Sequence, residues 1–338
     1  GLCYLKSCTA PVVEDAAATL GVITGERPPA PPPAQYCAVE PLQQLSVTVR
    51  PTETLFKLRD AAMSFELTVT FVSSMLANDY ERLSRPVYRV ALALRPLKRL
   101  DGAVRAYLDF SAQHVVNEKA EPVEWSKFYA GSTVNGSRMG TSAQCVLCAK
   151  GDKTNINWGY LYLAPVGNGQ SRGGSANAQR TAFAERGALP SSPDTNMPRS
   201  SAEDMPALSA VANMLAEETG SAAAAGSLAA VFVVAYDDIA SVRYYGTNFR
   251  GFWTQKWSSI EEAIEAAVSP LEVATVANLT ETLNNELVTA LSAVGGDEFA
   301  TIGALAYRQT LAATKLTWND QAGEHELVHL HFWQQQCL

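Results

Sequence analysis

The chain has 338 residues, 47% of them hydrophobic and 18% charged, with a formal net charge of -8, and is long enough for two domains with buried cores. Its acidic balance and the lack of any Lys/Arg-rich run argue against a nucleic-acid partner, because phosphate binding needs a basic surface. The longest apolar run, Leu228 to Val234, falls well short of the roughly 18 to 20 residues of a membrane helix, so no membrane partner is expected either.

Residues 1–40 read as irregular, and RPPAPPPA from Arg27 to Ala34 as an extended polyproline spacer, because each proline fixes φ and removes a donor. Nothing of signal-peptide type precedes the body, so the N-terminus at Gly1 reads as processed or incomplete. Cys3, Cys8, Cys37, Cys145, Cys148 and Cys337 are too spread for a disulfide scaffold, and bridging among the first three stays open. Cys145 and Cys148 form a CxxC, yet QCVLCAK alternates like a strand, which would set them on opposite faces. With no second Cys/His pair nearby, neither a metal nor a redox role is expected, and no cofactor is called for. Asn135-Gly136-Ser137 and Asn278-Leu279-Thr280 are acceptor sites for glycans if the chain enters a secretory pathway.

From Leu45 the pattern becomes that of strands. Leu45, Val47 and Val49 alternate, and Met63, Phe65, Leu67, Val69 and Phe71 form one apolar face opposite Ser64, Glu66, Thr68 and Thr70. Tyr88, Val90, Leu92 and Leu94 repeat it, as do Val104, Ala106, Leu108 and Phe110, while Trp158, Tyr160 and Tyr162 alternate with Leu161 and Leu163. Such spacing predicts an antiparallel β-sandwich over residues 41–235. Gly167 to Ser200, rich in Gly, Ser, Asn and Pro, reads as a flexible surface loop, and GNGQSRGGSANAQ lacks the lysine and Ser/Thr of a phosphate-binding loop. Met205, Leu208, Val211, Ala212 and Leu215 then recur at helical spacing, predicting a short amphipathic helix.

A polar and aromatic cluster follows the buried strand Leu228 to Val234: Tyr236, Asp237, Asp238, Arg243, Tyr244 and Tyr245. Paired carboxylates at the mouth of a strand can do acid and base work, since neighbouring negative charges push their pKa values apart. The same pair is also ordinary turn or helix-start chemistry.

Beyond Trp257 helices are expected. Ser259 and Glu262 have capping-box spacing for a helix through Val268, Leu283, Leu287 and Leu291 mark a second that stops at Gly295-Gly296, and Asp297 starts a third. Along that third helix Phe299, Ile302, Leu305, Gln309, Ala312 and Leu316 form a stripe, with Gln309 interrupting an apolar face and Arg308 beside it. Near the end, His325-Glu326-Leu327-Val328-His329 spells HExxH, which on a helix would put both imidazoles on one face for zinc with Glu326 activating a bound water, the minor alternative of a zinc metalloprotease. A third protein ligand is missing, because only nine residues follow His329, and His331 would point elsewhere on a helix; if extended, His325, His329 and His331 share one face instead.

The order PTETLFKLRDAAMSFELTVTFVSS, NINWGYLYLA, AYDDIASVRYYGTNFRGFW, ALAYRQTLAATKL resembles the glutaminase A family over about Leu45 to Leu316. The resemblance implies an α+β multidomain chain: an antiparallel β-sandwich followed by the first helices of an incomplete (α/α) six-hairpin domain over residues 236–320, then a divergent tail at 321–338. It also implies an extracellular hydrolase of glutamine, here a fragment with little activity alone that would associate with a missing helical portion. Within it Asp238 is the expected base or acid and Asp237 sets its pKa. Tyr236, Tyr244, Trp158 and Gln309 shape the pocket, and Arg308 faces a substrate carboxylate. A glycoside hydrolase, with Trp158, Tyr160 and Trp253 stacked on sugar rings, or a carbohydrate-binding sandwich are the alternatives, so the expected partner is a small molecule, glutamine or a sugar.

Overall fold

The computed structural model describes residues 41–100, 102–148, 155–216, 227–318 and 328–331. The polyproline segment, Cys3, Cys8, Cys37, Cys337, His325 and Glu326 lie outside them.

Two antiparallel sheets form the body. The larger takes β1 (Gln43–Val49), β2 (Glu53–Arg59), β3 (Phe65–Ser73) and β4 (Val87–Pro96) in sequence order. After β5 (Arg105–Ser111) come β6 (Pro122–Ala130), β7 (Val134–Thr141) and β8 (Tyr160–Pro165), then β9 (Gly169–Ser175), β10 (Arg199–Ser200), β11 (Pro206–Asn213), β12 (Leu215–Ala216) and β13 (Leu228–Asp237). Strand β13 inserts between β4 and β8, giving the order β1-β2-β3-β4-β13-β8-β7-β6-β10, with β12 paired to β13. The smaller sheet runs β5-β11-β9.

Period-2 patterning explains what lies between them. Phe65, Leu67 and Val69 of β3, Val90, Leu92 and Leu94 of β4, and Phe232 and Val234 of β13 face Ala106, Leu108 and Phe110 of β5 and Leu208 and Ala210 of β11 in one buried cluster. Part of each outer face is covered as well, although edge strand β1, with its expected apolar Leu45 and Val47, is exposed. Helix α2 (Ala176–Arg186) lies on the small sheet, where Phe183 packs with Tyr107 and Val211. Helix α3 (Ile260–Val268) lies on the large sheet, where Ile260, Ile264 and Val268 meet Phe128, Tyr162 and Val233. Four layers result, helix, sheet, sheet, helix. Strand β5 is therefore buried on both faces, and its outward Asp109, 0% exposed, is held by Arg180 of α2 through Nε at 2.7 Å and Nη2 at 3.0 Å, with the Tyr107 hydroxyl at 2.6 Å.

Several expectations are corrected here. Residues 206–213 are strand β11, not a helix: a short run with every residue but the last buried has no polar side, so its spacing fits either period. The stretch 167–200 is not a surface loop but contains β9 and α2, which is N-capped by Ser175 (Oγ accepting from Ala178 N at 3.2 Å) and ended by Gly187 in the left-handed region (φ 64°). Asp194, in the same stretch, accepts from Ser175 N and Asn196 N and pairs with buried Arg199 at 2.9 Å. Met63 is 55% exposed and precedes β3, so the β3 face starts at Phe65.

Helix α4 (Pro270–Ala312) breaks at Gly296 (φ 80°, ψ -175°). Its two arms, 270–295 and 297–312, fold into a hairpin, since a Cβ on Gly303 would sit 2.5 Å from Leu291 Cδ1. Both arms dock on the start of β2: Asn284 Oδ1 accepts from Thr52 N at 3.1 Å, and Arg308 Nη1 donates to Thr54 Oγ1 at 2.6 Å. The expected stripe faces the wrong way. Small Ala300 and Ala304 are buried at the contact, whereas Phe299, Ile302 and Leu305 are 42%, 63% and 49% exposed, Gln309 is exposed, and Leu316 belongs to a strand. Among the described residues the helical part on this side is α3 and this single hairpin, so a six-hairpin domain is not established.

The remaining strands β14 (Val242–Tyr244), β15 (Thr247–Gly251), β16 (Thr314–Trp318) and β17 (Val328–His331) form a small sheet in that order. His329 and His331 therefore sit on extended backbone paired with β16, not on a helix. Among the described residues no group of three or more His, Cys, Asp or Glu could hold a metal ion, and no helix is long and apolar enough to cross a membrane.

Candidate functional site

The carboxylate pair ends β13 in a tight turn. Asp237 stands opposite Tyr160 of β8, its Oδ1 accepts from Ile239 N at 2.9 Å, and Ile239 takes the left-handed conformation (φ 59°) that this turn demands. The Tyr236 hydroxyl donates to Trp158 O at 2.7 Å, and Trp158 Nε1 donates to Ala240 O at 3.1 Å. Gly159 closes the contact. A Cβ there would lie 2.0 Å from Asp237 O, and its φ is 83°. Four predicted residues, Tyr236, Asp237, Asp238 and Trp158, are thus brought together by backbone and ring contacts. Gly159→Ala should lower stability by about 2 kcal/mol or more, since the clash is with backbone and the φ disfavours a side chain; a urea melt matching wild type would show that the turn yields without cost.

The two carboxylates have different surroundings. Burial raises the Asp237 pKa above the ordinary aspartate value; the Ile239 N–H counters this, and the charge of Asp238 adds to the rise. Asp238, 7% exposed, is ion-paired with Lys315 Nζ at 2.6 Å, which ties β16 to the turn. Burial, then the charges of Asp238 and Asp237, push the Tyr236 hydroxyl well up, so it stays a donor.

The other predicted residues lie elsewhere. Tyr244 is 43% exposed in the β14–β15 hairpin, stacked edge-on with Tyr245 at 4.5 Å. Arg308 is engaged with Thr54, and Gln309 faces solvent on the hairpin's second arm. Trp158 and Trp253 are 6% and 3% exposed and offer no open face to a sugar, while the Arg138 guanidinium covers one face of the Tyr160 ring at 4.8 Å.

A cleft that the sequence did not reveal opens beside them, with a volume of about 520 Å³. It lies between helix α1 (Tyr80–Ser84), the 3-10 turn Phe252–Gln255 and the first arm of α4. Tyr80 and Phe252 meet edge to face at 6.4 Å, and Trp318 meets Phe252 at the same distance. Leu76, Leu279 and Leu283 give the apolar wall; Asp79, Glu81 and Glu286 line it as carboxylates. Burial would raise the Asp79 pKa, but Arg82, bonding it from Nη1 at 2.5 Å, outweighs this and holds it below the ordinary value; Glu81 is paired with Lys256. Glu272 anchors the neighbouring arm by accepting from Arg82 and Arg85, both at 2.8 Å. The cleft's residues come from positions 76–81, 252 and 279–286, each unremarkable locally, so no motif announces it.

An antiparallel β-sandwich with an acidic, aromatic junction cleft is the class of protein that fold and site define. The model of the family "Domain of unknown function (DUF5127)" matches residues 52–286, more than half of the chain, and the chain belongs to that family. No curated protein matches. Among solved structures, one described as "Putative kojibiose phosphorylase from human microbiome" is similar at 9% identity and a TM-score of 0.33, over 78% of this chain and 27% of that one. The chain spans about a quarter of that protein's length, and likeness at this level carries no functional information. The family match corrects the glutaminase A assignment and the amide hydrolysis it implied. The segments that suggested it are framework: β2 and β3, β8, the β13 turn, and the hairpin's second arm running into β16.

Proposed function

We propose that this chain is a carbohydrate-binding β-sandwich module that takes a neutral sugar in the cleft beside Tyr80 and Phe252. The observation that carries the reading is the pairing of two accessible rings with carboxylates inside one concave site. Rings offer flat apolar surface to the C–H face of a sugar, and carboxylates accept from its hydroxyls. An anionic ligand would meet Asp79, Glu81 and Glu286 at unfavourable sign. Binding is favoured over hydrolysis because a general acid must hold a proton, whereas the hydrogen bonds from Arg82 hold the Asp79 carboxyl below its ordinary pKa and so ionised.

Calorimetric titration with neutral mono- and oligosaccharides should give saturable binding. Tyr80→Ala and Phe252→Ala should each weaken it by about tenfold, the loss expected for one stacked ring. Absence of binding to every glycan, with the fold intact by circular dichroism, would remove the reading. Glycoside hydrolysis is the second reading, favoured by the raised proton affinity of Asp237. It predicts turnover that falls with Asp237→Asn and survives Asp194→Asn in any protein that remains folded.

A further inference from the structure

Cys145 and Cys148 are joined by a disulfide, at a sequence separation of 3, in the turn that follows β7. The alternation of QCVLCAK suggested a strand with the two sulfurs apart; instead Cys148 N donates to Cys145 O at 3.2 Å and Leu147 takes the left-handed region (φ 58°). Both cysteines are exposed. Closing so short a loop constrains the unfolded chain little, and this bridge joins no two separate elements. It does hold a turn in which a branched residue occupies a conformation that costs energy.

The neighbouring side chain connects that turn to the carboxylate site. Gln144 Nε2 donates to Thr141 O at 2.8 Å and to Gly159 O at 3.2 Å, and Gln144 Oε1 accepts from Gly159 N at 2.5 Å. Gly159 is the residue on which Asp237 O rests. We propose that Cys145–Cys148 is a reversible thiol–disulfide exchange site for small or protein dithiols, and that its reduction releases the Gln144 clamp on Gly159. A dithiol's thiolate attacks one sulfur and expels the other as a thiolate; the second thiol resolves the mixed disulfide. The products are two cysteine thiols on the chain and one oxidised dithiol, so electrons and protons balance.

The test uses the full chain under native conditions, with dithiothreitol as the dithiol, alkylation of free thiols, and mass analysis of the peptide carrying both cysteines. That peptide should become doubly alkylated without denaturant while circular dichroism is unchanged, and should return to the disulfide when oxidised dithiothreitol is in excess. Alkylation that requires guanidinium would overturn the exchange site. Hydrogen exchange at the Gly159 amide, read on the peptide around Trp158, should quicken at least tenfold on reduction. Cys145→Ser with Cys148→Ser should show the same quickening without reductant, and Gln144→Ala should reproduce it with the disulfide intact. Unchanged exchange at Gly159 in the reduced chain and the double variant would overturn the coupling.

Discussion

Leu67→Asp should unfold the protein, while Thr68→Asp should leave it folded. Leu67 is 1% exposed within the inter-sheet cluster, so the aspartate would be an unpaired charge among Phe65, Val69, Leu92 and Leu94. Such a change costs on the order of 4–5 kcal/mol or more, a large share of a typical domain's stability. Thr68 points to the other face, directly across from Lys57 of β2 and Ala93 of β4. An aspartate there gains an opposite-charge cross-strand neighbour and should shift stability by no more than about 1 kcal/mol. Urea melts of the two proteins decide it, and equal midpoints would mean that this face does not form the core.

Arg180→Leu should destabilise by about 3–5 kcal/mol at neutral pH, because it strands the fully buried Asp109 carboxylate. The pH dependence gives a sharper test. Burial alone would raise the Asp109 pKa, but the hydrogen bonds and charge of Arg180, helped by the Tyr107 hydroxyl, pull it below the ordinary value. A group depressed in the folded state stabilises above its unfolded pKa of about 3.9, and that contribution is lost as pH falls through the folded value. Without Arg180 burial is the main remaining influence, the folded pKa rises, and the variant recovers stability as pH falls. The gap between the two proteins should therefore be widest near pH 7 and narrow towards pH 4. A gap constant over that range would mean that Asp109 is not the group responsible.

Much of the sandwich was legible because its central strands are buried on one face and therefore alternate: Phe65, Leu67 and Val69, or Val90, Leu92 and Leu94. Where burial is two-sided the signal vanishes, as in Ala207 to Ala212 of β11. Helix α2 was hidden for a different reason. Its mean character is polar and glycines precede it, although Ser175 and Gly187 were available as start and stop signals. The stop at Gly295-Gly296 was legible, but not the docking face of the following arm, because close packing of a hairpin selects small Ala300 and Ala304 over larger Phe299 and Ile302. Tyr236, Asp237 and Asp238 could be foreseen at a strand end, but not the contact of Tyr236 with Trp158, 78 residues away in the chain. The cleft could not, since residues 76–81 meet Phe252 and 279–286 across about 170 to 210 residues of chain, and separation of that order leaves no local trace.

The hairpin's attachment has a kinetic consequence. Its own contacts, such as Leu291 with Gly303, span a dozen residues and can form on the microsecond scale of helices and short loops. Its docking bonds, Asn284 to Thr52 and Arg308 to Thr54, span 232 and 254 residues and can close only after β2 has been positioned on the sheet. The hairpin should therefore exist as a preformed lever before it has a seat, and Asn284→Ala should accelerate unfolding while leaving the folding rate nearly unchanged.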